Sequence, residues 1–138
     1  MRVLIVCTGN TCRSPMAGGL VRKIAGQAGA KVEVRTAGLA HHANTRVAEK
    51  AVAVMREIGI DISDEYSKPV TTDALEWADI IIPIQRNHGA HLLEDDPALE
   101  RKIRFLEYDV MDPYNGSFAD YRERRDQLES LLSKLSLD

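Results

Sequence analysis

Cysteine is scarce in this chain of 138 residues, which has two, Cys7 and Cys12. A bridge between residues so near in sequence closes too small a loop to stabilise much, so their expected role is chemical rather than structural. An excess of charge of one sign is also missing. The net charge of −3 supplies no basic field to neutralise a phosphate backbone, and nucleic acid is not an expected partner. No apolar run approaches the length that spans a bilayer. Met1-Arg2-Val3-Leu4-Ile5-Val6 leads into a polar loop rather than a cleavage site, so no membrane partner and a cytoplasmic location are expected. Linkers, internal repeats and low-complexity segments are absent as well. With 44% hydrophobic residues, the length suits one well-formed core and is too short for two ordinary domains, so residues 1–138 are expected to form one.

What is present is an alternation of strand and helix patterns. Val3 to Val6 is wholly apolar, the pattern of a strand buried on both faces of a parallel sheet. Ser14-Pro15 then has the form of a helix start, with Ser as cap and Pro in the first helical position. Met16, Ala17, Leu20, Val21, Ile24 and Ala28 follow at helical spacing. Lys31 to Ala37, ending at Gly38, predicts a second strand. Val47, Ala51, Val54, Met55 and Ile58, closed by Gly59, predict a second helix. Thr71 to Trp77 is a short helical segment, Ala78 to Ile82 a buried strand stopped by Pro83, and Lys102 to Leu106 a fourth strand. In His88 to Leu99, Asp95-Asp96-Pro97 fits either a turn or a helix start. Ser117, with Asp120 three residues on, opens an amphipathic helix carrying Tyr121, Leu128, Leu131, Leu132 and Leu135. Such alternation predicts an α/β fold, an open parallel sheet between two helical layers.

The chemistry gathers in Cys7-Thr8-Gly9-Asn10-Thr11-Cys12-Arg13-Ser14. A loop between a buried strand and a helix N-terminus offers backbone N–H groups and the positive end of a helix dipole, the donors a phosphoryl group needs. With cysteine at its first position and arginine six residues later, one turn of loop sets a guanidinium fork over the oxygens that the sulfur faces. Those donors favour a thiolate nucleophile at Cys7, and Ser14 can donate to its sulfur. Gly9 and Asn10 tolerate the positive φ of a curled loop. A nucleophile of this kind also needs an acid for the leaving group. Asp112 in Asp112-Pro113-Tyr114 is a candidate, with Tyr114 as a wall of the slot, although Asp-Pro is equally a common turn pair.

The run Val6 to Ala17 resembles the signature of the low-molecular-weight protein tyrosine phosphatases. The resemblance continues through Thr36-Ala37-Gly38, Gly59-Ile60-Asp61, Ala78-Asp79, His88 and Asp109-Val110-Met111-Asp112-Pro113-Tyr114. It implies a three-layer α/β/α fold around a four-stranded parallel sheet of order 2-1-3-4. It implies further that Cys7 forms a phosphocysteine intermediate, that Arg13 binds phosphate, and that Asp112 acts first as acid and then as base. The remaining loop residues Thr8, Gly9, Asn10, Thr11, Cys12 and Ser14 would cradle the phosphate. Cys12 would trap Cys7 as a reversible disulfide. No metal or cofactor is implied, and the partner would be a phosphorylated protein met by a monomer or weak dimer.

Thr11 departs from the Ile or Leu usual in the tyrosine phosphatases and resembles the bacterial protein arginine phosphatases. Its hydroxyl leaves polar room where a phenyl ring favours apolar contact, so Thr11 and Tyr114 become the selectivity positions. Phosphoarginine is the favoured substrate and phosphotyrosine the alternative. Two more distant readings are an arsenate reductase, which needs redox cysteines after Cys12, and a phosphate-binding module without turnover, which needs neither nucleophile nor acid. Gly18-Gly19 replaces the usual Glu-containing pair at an expected cost of about 1 kcal/mol per glycine relative to alanine. His41 and His42 are loop residues within possible reach of the substrate, and with His88 and His91 they give no metal-ligand spacing.

Overall fold

A computed structural model describes residues 1–40 and 44–135 of the chain. Strand β1 (Arg2–Cys7) lies between β2 (Glu33–Gly38) and β3 (Ile80–Pro83), all parallel, in the order β2-β1-β3. Val3 pairs with Val34 on one side and Ile80 on the other, and Ile5 with Thr36 and Ile82. Val3, Leu4, Ile5 and Val6 are fully buried. Because side chains alternate along a strand, Val3, Ile5 and Cys7 enter one core while Leu4 and Val6 enter the other.

The first core is closed by α1 (Arg13–Gln27), α2 (Glu49–Arg56) and α5 (Phe118–Lys134). Its centre is Met16, Leu20, Met55 and Leu128, each without solvent exposure. The opposite face is covered by α3 (Thr72–Trp77), α4 (Arg86–Asp95) and a 3-10 turn (Pro97–Arg101), through Leu92 and Leu99. The result is the three-layer α/β/α fold. At about 1.5 to 3 kcal/mol for each large apolar side chain removed from water, these two cores are the main stabilising term.

The expected fourth strand is reduced to one parallel bridge, Ile81 with Ile103. Ile81 donates to the Lys102 carbonyl at 3.0 Å and accepts from Arg104 N–H at 2.9 Å. The next rung on that edge would start at residue 83, which is proline and has no N–H, so the ladder stops. Around Asp96 the helix-start reading holds, since its carboxylate accepts from Ala98 N–H at 3.1 Å and opens the 3-10 turn. Ser117 and Asp120 cap α5 reciprocally at 3.1 and 2.9 Å.

The start of α1 differs from expectation. The helix begins at Arg13, so Ser14 and Pro15 lie inside its first turn and Cys12 sits at the cap position without a side-chain cap. Gly18 and Gly19 have a packing reason that helix propensity hides. A Cβ on Gly18 would stand 3.0 Å from Thr36 Cγ2, and one on Gly19 2.9 Å from Ile60 Cγ2. The absent side chains let α1 lie close against β2 and the segment after α2.

Candidate active site

The loop from Cys7 to Arg13 runs from the carboxyl end of β1 to the N-terminus of α1. That end of a central parallel strand is where open α/β sheets place their ligands. The carbonyls of Cys7, Thr8 and Thr11 accept from the N–H groups of Leu39, Ala40 and Ala48 at 3.0, 2.9 and 2.9 Å. A trans peptide directs its N–H opposite its C=O, so the N–H groups of Thr8, Gly9 and Cys12 turn away from those partners. Those N–H groups and the N-terminus of α1 are donors of the kind an oxyanion takes.

Asn10 locks this shape. It alone carries the positive φ expected of the Gly9-Asn10 pair, at 57°. Its buried side chain donates to Ser14 Oγ at 2.7 Å and Thr36 Oγ1 at 2.8 Å, and accepts from Lys68 N–H at 2.9 Å. Cys7 Sγ accepts from Asn10 N–H at 3.2 Å and lies 2.9 Å from Ser14 Oγ. The serine hydroxyl, read from sequence both as a helix cap and as a donor to sulfur, is thus directed to the sulfur. Gly38 completes the seat, because a Cβ there would meet the Thr8 carbonyl at 2.7 Å.

Arg13 is buried with 2% exposure. Its Nη1 donates to Gln85 Oε1 at 2.6 Å and to the Val110 carbonyl at 2.8 Å. Its Nη2 lies 3.9 Å from Asp112 Oδ2, whose side chain is half exposed. A contact of that length and exposure contributes no more than about 1 kcal/mol to stability. Asp112 is held by Tyr114 N–H donating to Oδ1 at 3.0 Å. The segment before it is pinned by Arg86 N–H to Asp109 Oδ1 at 2.8 Å and by Val110 N–H to the Ile84 carbonyl at 3.3 Å.

A cavity of about 510 Å³ opens between these parts. Its lining brings together Cys7, Thr8, Gly9, Asn10, Thr11, Cys12 and Arg13 with Asp112 and Tyr114, so nine of the ten sequence-predicted site residues meet there. The tenth, Ser14, stands behind Cys7. Tyr114 is 69% exposed and forms a rim rather than a buried wall. His41 and His42 fall outside the described residues.

Four residues that sequence reasoning left without a role support the site. His88 Nδ1 accepts from Gln85 N–H at 3.1 Å, which leaves Nε2–H to donate to Thr8 Oγ1 at 2.9 Å. Burial, and then the Arg13 charge, push the His88 pKa down to about 4, so the ring is neutral near pH 7. Tyr121 from α5 places its hydroxyl 3.5 Å from Cys12 Sγ. Burial pushes the Cys12 thiol up, opposed by the Tyr121 hydrogen bond, and burial likewise raises the Tyr121 hydroxyl. Thr36 anchors Asn10, and Gln85 anchors Arg13. Gln85 was findable, as a polar residue at the carboxyl end of a strand beside β1.

The fold and this loop define a phosphatase built around a cysteine, and comparison with known proteins agrees. Residues 2–137 match the family described as low molecular weight phosphotyrosine protein phosphatase, and the chain belongs to that family. It is 36% identical to a protein-arginine-phosphatase of Bacillus subtilis, over 99% of this chain and 95% of that protein. It is 32% identical to the protein-arginine-phosphatase of Geobacillus stearothermophilus, over 98% and 93% of the two chains. The crystal structure of a low molecular weight protein tyrosine phosphatase from T. tengcongensis superimposes with a TM-score of 0.91 at 36% identity, covering 97% of this chain and 96% of that one. The chain is a cysteine-dependent phosphatase.

Proposed function

We propose that this phosphatase acts on phosphorylated protein side chains, with phosphoarginine favoured over phosphotyrosine. The observation that carries this reading is the convergence of Cys7, Arg13 and Asp112 on one cavity with Thr11 in its lining.

Cys7 Sγ attacks phosphorus in line with the leaving atom, while Arg13 and the loop N–H groups take up the charge on the equatorial oxygens. Asp112 gives its proton to the departing nitrogen or oxygen, and the S–P bond forms as the N–P or O–P bond breaks. Asp112, now a carboxylate, takes a proton from water, which attacks phosphocysteine. The sulfur leaves as thiolate, with the Ser14 hydroxyl donating to it.

A guanidinium leaving group is planar and cationic, and Asp112 at the slot gives it the proton and then, as a carboxylate, faces it with the opposite charge. The Thr11 hydroxyl keeps its surroundings polar. The specific observation favouring phosphotyrosine is Tyr114, whose exposed ring at the rim can face a second aromatic. Arsenate reduction fits less well, since Cys7 and Cys12 are the chain's two cysteines. Cys12 serves as the redox partner: a sulfenic acid formed on Cys7 by a peroxide condenses with the Cys12 thiol, releasing water. The chain works as one cytoplasmic domain, as a monomer or weak dimer.

Parallel hydrolysis of phosphoarginine and phosphotyrosine peptides tests the substrate reading. The unaltered chain should prefer phosphoarginine, and Thr11→Ile should move the kcat/KM ratio toward phosphotyrosine by about tenfold or more. An unchanged ratio would refute the role given to Thr11.

A further inference from the structure

Arg13 is the one buried cation of the loop, and the two groups that hydrogen-bond its Nη1 are neutral. They are the Gln85 side-chain oxygen at 2.6 Å and the Val110 carbonyl at 2.8 Å. The carboxylate nearby, Asp112, stands back at 3.9 Å from Nη2 and is half exposed, so solvent screens it. A carboxylate at position 85 would occupy the same place and make a charge-assisted hydrogen bond roughly twice as strong. It would also cancel, at hydrogen-bond distance, the charge that attracts a dianion. The residue present supplies the acceptor without the charge.

We propose that Gln85 is a positioning residue that sets oxyanion affinity: its amide oxygen fixes the Arg13 guanidinium while leaving it a full positive charge. This rests on reading Arg13 as the phosphate-binding residue. The same side chain joins the parts that must keep register during the reaction. Gln85 Nε2 donates to Met111 Sδ at 3.8 Å, next to Asp112 in sequence. Gln85 N–H donates to His88 Nδ1, and His88 Nε2–H donates to Thr8 Oγ1. Arg13, the segment bearing the acid, and the second residue of the loop therefore share one hub at the end of β3. The adjacent Arg86 N–H adds a fixed contact to that segment through Asp109.

The two properties of Gln85, acceptor and neutrality, separate in two variants of nearly unchanged size. Gln85→Glu keeps the acceptor and adds charge, and Gln85→Met loses the acceptor and stays neutral. Sulfate, a dianion the enzyme does not turn over, is titrated calorimetrically into each protein, and kcat and KM are measured on an aryl phosphate. Gln85→Glu should weaken sulfate by about tenfold or more and raise KM more than it lowers kcat. Gln85→Met should stay within about threefold in sulfate affinity and lose mainly kcat, as Arg13 is left with one anchor. If Gln85 acts only as an anchor, the order reverses, with Gln85→Met the weaker sulfate binder; that order, or equal affinity in all three proteins, overturns the proposal. Arg13→Met distinguishes the underlying reading, because sulfate binding unchanged in that variant removes Arg13 from the phosphate site whatever Gln85 does.

Discussion

Cys7 Sγ and Ser14 Oγ lie 2.9 Å apart, across the turn that joins the loop after β1 to α1. Asn10 Nδ2 donates to the same serine oxygen, so the serine proton is left to point at sulfur. This contact matters most when sulfur departs from phosphocysteine as a thiolate. Ser14→Ala should slow that second step by roughly 10²-fold, the usual effect of removing one donor from a developing anion. Rapid-quench kinetics should then show a burst of leaving group followed by a slow steady state. A single slow phase without a burst would place the serine in the first step instead.

Asp112→Asn keeps the shape of the side chain and removes the proton donor. On phosphoarginine or phosphotyrosine peptides kcat/KM should fall by about 10² to 10⁴-fold. That ratio runs only through release of the leaving group and so excludes the later step in which Asp112 is the base. With a nitrophenyl phosphate, whose leaving group departs without a proton, the loss should be smaller. Equal losses on both substrates would mean that Asp112 acts electrostatically and not as an acid.

The glycines of α1 make opposite predictions about stability. A methyl on Gly19 meets Ile60 at 2.9 Å, Ile62 at 3.2 Å and Met55 at 3.3 Å, so Gly19→Ala should destabilise the fold by about 1 to 3 kcal/mol through overpacking. Gly26, in the same helix, has nothing within 4 Å of the added methyl. Gly26→Ala should stabilise by roughly 0.4 to 1 kcal/mol. Urea denaturation of both variants reads the difference directly.

His88 gives the fold an acid-side pH dependence. Its folded pKa of about 4 lies below the ordinary 6.5, so between those values the unfolded chain binds the proton more readily. Stability from this group is complete above pH 6.5 and is lost as the pH falls toward 4. The loss is on the order of 3 kcal/mol at most. His88→Gln removes the titration and should flatten that part of the stability curve relative to the unaltered chain. Identical slopes in the two proteins would show that His88 titrates normally in the folded state.

The parts of the molecule legible in sequence are those set by neighbours along the chain. The apolar run Val3 to Val6, the Ser117 and Asp120 cap, and the cysteine-to-arginine spacing each carry their own local signal. What depends on distant partners was harder to read. Ser14 reads both as a helix cap and as a donor to the Cys7 sulfur, and the two are told apart by the helix starting at Arg13 and the hydroxyl lying 2.9 Å from sulfur. Gly18 and Gly19 read as a propensity cost until Thr36 and Ile60 are seen against them. Pro83 was visible as the end of β3, yet its effect falls on Lys102 to Leu106, where the missing N–H limits pairing to one bridge. Gln85 is 72 residues from the arginine it holds; its place just past a strand beside β1 marks it as a candidate for the site, but not the residue it contacts.

The central claim is that phosphate passes through Cys7, and trapping the intermediate tests it most directly. A phosphorylated substrate is mixed with the Ser14→Ala protein, quenched within the burst, digested and analysed by mass spectrometry. The account predicts one phosphoryl group on the peptide containing Cys7, and no hydrolysis by Cys7→Ser. Turnover that survives Cys7→Ser, or a phosphoryl group found on another residue, would contradict it.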